Sequence, residues 1–187
     1  MQGATVMRNV NLNQIMKKLY SDDLYFVSIP PVHTEYEESY HEVAIDPDGN
    51  KRYLMEEREH SLAGIPEIKK WVSDRPGGKI LDVGCGPGWF LSSLGSEWDR
   101  YGVEVSTYAS KVARNSGAIH NGTLEEYTET GFDVIVMNHV IEHIADPVSV
   151  LKKIKNILND DGVLIIGTPD FDSACARRYG KNFRFFN

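Results

Sequence analysis

Lys79-Ile80-Leu81-Asp82-Val83-Gly84-Cys85-Gly86-Pro87-Gly88-Trp89-Phe90-Leu91 is the stretch whose reading decides the fold. An apolar run stops at a carboxylate, passes through three closely spaced glycines and restarts as an apolar segment that opens a helix. Glycines there permit backbone angles that a Cβ forbids and let the main chain come close to a ligand. The helix start behind them offers unpaired N–H groups. The pattern is that of a nucleotide-binding turn, and the open question is which nucleotide.

Working outward, short apolar strands alternate with helices from Lys79 onward. Strands are expected at 79–83, 100–105, 118–121, 133–137 and 162–167, with helices at 89–96, 108–115 and 147–158 and a turn at Asn159-Asp160-Asp161. Alternation of this kind predicts an α/β fold: a Rossmann-like, doubly wound, mainly parallel sheet with helices on both faces. Upstream, the helical pattern from 57 to 72 contains Pro66, which suits the first position of a second helical segment, and Asp74-Arg75-Pro76-Gly77-Gly78 stops it. Earlier still, 11–20 has the spacing of a short amphipathic helix, 25–31 is extended and closed by two prolines, and 34–40 is acidic and aromatic. Val43-Ala44-Ile45 and Arg52-Tyr53-Leu54 flank Asp46-Pro47-Asp48-Gly49-Asn50 and predict a β-hairpin. The chain divides into a leading segment, 1–60, and a nucleotide-binding domain, 61–187.

Composition narrows the setting. Of the 187 residues 41% are hydrophobic and 25% charged, and no run approaches the roughly 20 apolar residues of a membrane span. The first residues lack the apolar core of a signal peptide. Two cysteines and no C-x-x-C pair suit a reducing cytoplasm, and Cys85 reads as a small residue in a tight turn before it reads as a nucleophile. The net charge of −7 opposes non-specific binding to nucleic acid, although Arg177, Arg178, Lys181 and Arg184, interleaved with Tyr179, Phe183, Phe185 and Phe186, form a local basic-aromatic patch.

Three residues around the turn select the ligand class. Glu104, twenty residues after Gly84 at the end of the second strand, is placed to accept hydrogen bonds from ribose hydroxyls. A dinucleotide turn of the form G-x-G-x-x-G needs its third glycine where this chain has Trp89. Asp82, just before the turn, would repel a pyrophosphate and attract an amine or sulfonium. A cationic nucleoside is favoured over a dinucleotide.

Asp82-Val83-Gly84-Cys85-Gly86-Pro87-Gly88, Glu104 and Asn138-His139-Val140-Ile141-Glu142-His143-Ile144 together resemble the class I S-adenosylmethionine-dependent methyltransferases, over about residues 65–170. The resemblance implies an enzyme that transfers a methyl group from S-adenosylmethionine to a small-molecule or glycan-type acceptor. It implies that Gly84, Cys85, Gly86 and Gly88 line the methionine part of the cofactor, with Asp82 toward its amino group. Glu104 would hold the ribose, Val105 and Ser106 would lie beside the adenine, and Thr123 and Leu124 after Gly122 would reach the adenine edge, without the Asp that many such enzymes carry there. Asn138 and His139 would sit under the reactive methyl. It also implies that residues 1–60 form a helical and hairpin lid, with Tyr36, Tyr40 and His41 as contacts.

The segment His139-Val140-Ile141-Glu142-His143 is similar to the E-x-x-E-H segment of quinone-biosynthesis O-methyltransferases, where carboxylates and a histidine accompany a metal, but His139 replaces the first Glu. One helical turn would bring His139, Glu142 and His143 together. Three readings stand: the group orients the loop, it supplies a base through His139 or His143, or it holds a metal; no metal ligand is assigned. The family's sheet ends in an antiparallel pair, yet only twenty residues follow Gly167, so those strands are expected to be missing and the chain shortened. The open edge would be covered by the N-terminal hairpin or by a second copy in a homodimer. Two other readings remain: a nicotinamide-dependent oxidoreductase, and a cofactor-binding module without turnover.

Overall fold

A computed structural model of the chain describes residues 5–6, 43–45, 51–53, 66–168 and 174–179. The expected segments 11–20, 25–31, 34–40 and 183–186, and with them Tyr36, Tyr40 and His41, lie outside the described residues. In chain order the elements are β1 (Thr5–Val6), β2 (Val43–Ile45), β3 (Lys51–Tyr53), α1 (Pro66–Ser73), β4 (Gly78–Val83), α2 (Trp89–Ser92), β5 (Trp98–Glu104), α3 (Thr107–Ala113), β6 (Ala118–Asn121), β7 (Phe132–Asn138), a 3-10 turn (Ile141–His143), α4 (Pro147–Ile157), β8 (Leu158–Gly167) and α5 (Ala174–Tyr179). Among the described residues no helix is long and apolar enough to cross a membrane. Arg177 and Arg178 of the basic-aromatic patch are exposed on α5.

Six strands form one sheet in the order β1-β8-β7-β4-β5-β6, and β2 pairs with β3 as the expected hairpin, Val43 opposite Tyr53. Strands β8, β7, β4, β5 and β6 run parallel. The apolar runs alternate between two cores. Ile80, Val134, Val136 and Ile165 face a cluster closed by Ile68 and Val72 of α1, Phe90 and Leu91 of α2 and Ala113 of α3. Leu81, Val83, Ile135 and Met137 face the other, closed by Val150, Ile154 and Ile157 of α4. Both sheet faces are therefore covered, which is why β7 reads as an almost unbroken apolar run. The succession β4, β5, β6 grows to one side and β7, β8 to the other, so the direction reverses at β4. In an open α/β sheet the crevice at the carboxyl ends beside such a reversal is where ligands bind.

Three elements differ from the expectation. The helix expected over 89–96 stops at Ser92, because Ser92 and Ser93 turn their hydroxyls back onto the carbonyls of Trp89 (2.9 Å) and Phe90 (2.8 Å), with Gly95 close behind. Leu158, expected in a helix, is already in β8 opposite Phe132; the register then jumps so that Val134 faces Val163, and the expected turn at 159–161 is absorbed as extra residues in that irregularity. Among the described residues the outer edge of β8 is met not by the hairpin but by β1, with Thr5 opposite Ile166 and Val6 opposite Ile165.

Asp133 pins the irregular end of the sheet. One carboxylate oxygen accepts from the Lys79 N–H at 2.8 Å and the other from Asn159 Nδ2 at 2.8 Å, while Asn159 also reaches the Gly131 carbonyl at 3.1 Å. Replacing Asp133 by Ala strands a strand-edge N–H and the Asn159 amide. Urea unfolding of D133A is expected to show a loss of about 1–3 kcal/mol; an unchanged transition midpoint would remove Asp133 from this role.

Candidate functional site

The site is built at the carboxyl ends of β4, β5 and β7. At the end of β4, Gly84 and Cys85 both donate their N–H to the Val103 carbonyl, at 2.8 and 3.2 Å, which curls the turn over β5. Gly86 and Gly88 have φ of 53° and 83°, a left-handed backbone that disfavours a side chain. They use it differently. A Cβ at Gly88 would stand 2.7 Å from Ser116 Oγ and 3.1 Å from Ala113 Cα, so Gly88 lets the turn press against the end of α3. Among the described residues a Cβ at Gly86 would meet nothing within 4 Å, so here they leave the backbone open. Close packing against a helix, the task of the third glycine in a dinucleotide turn, thus falls to Gly88, one residue before Trp89.

Two carboxylates stand behind the turn. Glu104 is buried and its oxygens are divided between the Gly86 N–H at 2.8 Å and the Ser106 N–H at 2.7 Å. Burial pushes its carboxyl above the usual range despite those backbone donors, which pull the other way. Asp82 is buried on the neighbouring strand, opposite Gly102, and among the described residues no hydrogen bond reaches its carboxylate. Its pKa is pushed up to about 8, first by burial and then by the charge of Glu104. A buried carboxylate without a donor, beside a second one and an open glycine, is matched by a ligand that brings a positive charge. The residues present fit the charge of an S-adenosylmethionine.

The other expected positions separate into exposed and buried. Val105 is 54% exposed although apolar, and so is available to a flat ring. Ser106 is buried as the N-cap of α3, accepting from the Ala109 N–H at 3.2 Å. Cys85 turns into the core, and burial, followed by the charges of Asp82 and Glu104, raises its thiol far above the range of a nucleophile. Thr123 is exposed whereas Leu124 is buried in the core with Val103. Asn138, at the end of β7, brings its Oδ1 against Gly167. Two residues at this rim carried no signal in the reading of the sequence. Asn121 ties the loops after β5 and β6, donating to the Glu104 and Val105 carbonyls at 2.9 and 3.2 Å. Glu126 folds back to accept from the Thr123 N–H at 3.0 Å, and only its position three residues after that turn residue hints at this.

Beyond β7 the chain does not make the expected helical turn. His139 takes φ 55°, Val140 packs against Gly84, and a 3-10 turn follows over Ile141–His143. His139 and Glu142 do meet, Nδ1 to Oε1 at 3.3 Å, but no hydrogen bond joins the exposed His143 ring to Glu142 among the described residues. Burial alone would raise the Glu142 carboxyl; the hydrogen bond from His139, its own backbone and the charges of His139 and His143 outweigh this and hold it below the usual range. Among the described residues no group of three His, Cys, Asp or Glu side chains is arranged to hold a metal ion.

Asp82 sets a pH dependence. Its carboxyl titrates at about 8 when folded against 3.8 as an ordinary side chain, so between those values the folded chain binds more protons than the unfolded one. Stability then falls as pH rises through that window, the reverse of an ion-paired carboxylate. Glu104 acts in the same direction. The ligand-free chain is expected to melt at a lower temperature at pH 8 than at pH 5, with the slope reduced in D82N; an equal slope in the two proteins would contradict the burial of an unpaired acid at this position.

Comparison with known proteins agrees with this geometry. A family described as "Methyltransferase domain" matches residues 52–187, more than half of the chain. A relative called ubiquinone biosynthesis O-methyltransferase, from Haemophilus ducreyi, is 32% identical over 108 residues, which are 49% of this chain and 45% of the relative. The chain spans about half the length of the curated relatives it matches. Among solved structures, a SAM-dependent methyltransferase from Thermotoga maritima, a possible histamine N-methyltransferase, aligns with a TM-score of 0.50 at 28% identity over 66% of each chain. The plantazolicin methyltransferase BpumL, in complex with a desmethylPZN analog and SAH, shares the fold with a TM-score of 0.53 at 18% identity over 59% of this chain and 48% of its own. With its reversed parallel sheet, glycine turn and paired acids, this chain belongs to the methyltransferase-domain family.

Proposed function

We propose that the chain binds S-adenosylmethionine at the glycine turn and transfers its methyl group to a hydroxyl of a small-molecule or glycan-type acceptor in the cytoplasm. The observation that carries this reading is the Asp82 carboxylate, without a hydrogen bond among the described residues, beside Glu104 and the side of Gly86 that those residues leave open. Asp82 would receive the cationic amino acid end and Glu104 the ribose, as the resemblance implies. The relatives of which this chain spans about half are named O-methyltransferases, which supports a hydroxyl acceptor. The free, protonated Cys85 suits a reducing compartment.

When bound, the sulfonium supplies a methyl group already activated for transfer. What the protein must add is alignment and somewhere for the proton to go. In the proposed step the acceptor hydroxyl gives its proton to His139 Nε2. Asp82 and Glu104 would hold the cofactor, which would supply the methyl that replaces this proton on the acceptor oxygen and would itself be left as the neutral thioether. His139 stands at the end of β7, and the adjoining Val140 packs against Gly84 of the turn, so base and cofactor turn share one rim of the sheet.

Calorimetric titration with S-adenosylmethionine, S-adenosylhomocysteine and NAD tests the cofactor. The two sulfur nucleosides are expected to bind and NAD is not, whereas preference for NAD would return the oxidoreductase reading. Near pH 7, binding of S-adenosylmethionine should release protons as Asp82 ionises against the ligand's charge. This is seen as a dependence of the heat on buffer ionisation enthalpy, and D82N should largely abolish it.

Glu104→Gln should weaken S-adenosylmethionine by about 1.5–3 kcal/mol, the scale of a charge-assisted hydrogen bond; unaltered affinity would remove its ribose role. His139→Ala is expected to lower turnover of hydroxyl acceptors by about a hundredfold with little change in cofactor affinity. Equal loss of both would make His139 a cofactor contact. Tight binding with no S-adenosylhomocysteine formed across phenolic, sugar and amine acceptors would favour a module without turnover.

A further inference from the structure

Glu142 connects the ends of two strands. Its Oε1 lies 3.3 Å from His139 Nδ1, just past β7, and its Oε2 accepts from the Thr168 hydroxyl at 3.3 Å, just past β8. A backbone tie runs alongside, from the His139 N–H to the Gly167 carbonyl at 2.8 Å. Among the described residues His139 is the non-glycine residue with positive φ. Such a backbone costs energy and persists only where its surroundings over-determine it. Those surroundings include the Gly167 carbonyl and the Glu142 carboxylate, the latter held in turn by Thr168.

The split carboxylate has a chemical consequence. An ionised carboxylate only accepts hydrogen bonds, so a neutral imidazole paired with it through Nδ1 carries its proton there. The acceptor nitrogen of the ring is then Nε2. We infer that Glu142, itself held by Thr168, is a positioning residue that fixes His139 in the Nδ1–H form so that Nε2 faces the acceptor as base. This rests on the reading of His139 as the base, and it separates His139 from His143, whose ring has no such bond to Glu142. Both contacts are longer than the roughly 2.7–2.9 Å of a full charge-assisted bond. The His139 contact therefore has room to shorten as the ring takes a proton and the carboxylate attracts it more strongly.

The test uses the full chain with 15N-labelled histidine at about pH 9, above the ordinary titration range of histidine. Long-range 1H–15N spectra report which ring nitrogen bears the proton, and the His139 signals are assigned by their loss in H139Q. Wild type is expected to show Nδ1–H at His139, Glu142→Ala to revert to the Nε2–H form that free histidine prefers, and Thr168→Val to show a mixture. In methyl transfer to a hydroxyl acceptor, E142Q should lower kcat by about tenfold or more with KM for S-adenosylmethionine nearly unchanged. An Nε2–H tautomer in wild type, or one unaltered by E142A, overturns the inference whatever the activity. Loss of stability in E142A without a tautomer change would mark Glu142 as a strand tie only. Full turnover in H139A overturns the base reading itself, and with it the use to which the tautomer is put.

Discussion

Two buried acids on adjacent strands are the constraint on which the site depends. The parallel register of β4 and β5 sets Asp82 opposite Gly102, two residues before Glu104, so the distance between the two carboxylates is decided by the sheet. Glu104 spends both oxygens on the loops, holding the glycine turn at Gly86 and the start of α3 at Ser106. Asp82 has no such partner among the described residues, and its charged form is disfavoured by burial and by its neighbour. A ligand that brings a cation relieves a load that the folded chain otherwise carries alone. Binding affinity and fold stability are linked through the same atoms.

The second half of the site depends on the other side of the reversal. β7 lies beside β4, and Val140 packs against Gly84, so the segment that carries His139 is fixed relative to the turn by packing as well as by hydrogen bonds. β8 then reaches across through Gly167 and Thr168. The two acids proposed to meet the ligand lie on β4 and β5, and the imidazole proposed as base is tied to the ends of β7 and β8. The sheet, packed between two cores, sets the spacing between these two proposed parts of the site.

The parallel sheet, the hairpin and the turn were legible because they rest on local signals: buried apolar runs, turn residues and glycine spacing. Glu104 was legible because strand length fixes where an acid falls. What escaped depends on contacts distant in sequence or on competition within a turn. The shortened α2 follows from serine hydroxyls that bond carbonyls in place of solvent, a competition that apolar periodicity does not register. The irregular start of β8 needs Asp133 and Asn159 to meet across strands. The packing role of Gly88 requires α3 to be in place. At His139 the i, i+3 spacing foresaw the pairing with Glu142, yet the pairing arises from a left-handed residue and a 3-10 turn, not from a helix.

The short strand β1 also fixes an order of events. Its partners, Ile165 and Ile166, lie about 160 residues further along the chain. A ribosome therefore releases residues 5–6 long before the edge they cover exists, and β8 emerges last among the parallel strands. Pairing at such sequence separation is slow, because the entropy of closing so long a loop must be met before the contact rewards it. Two residues contribute few ladder bonds in return. Until that pairing forms, Ile165 and Ile166 lack the β1 partner, and a strand edge without its partner is where copies of a chain can associate.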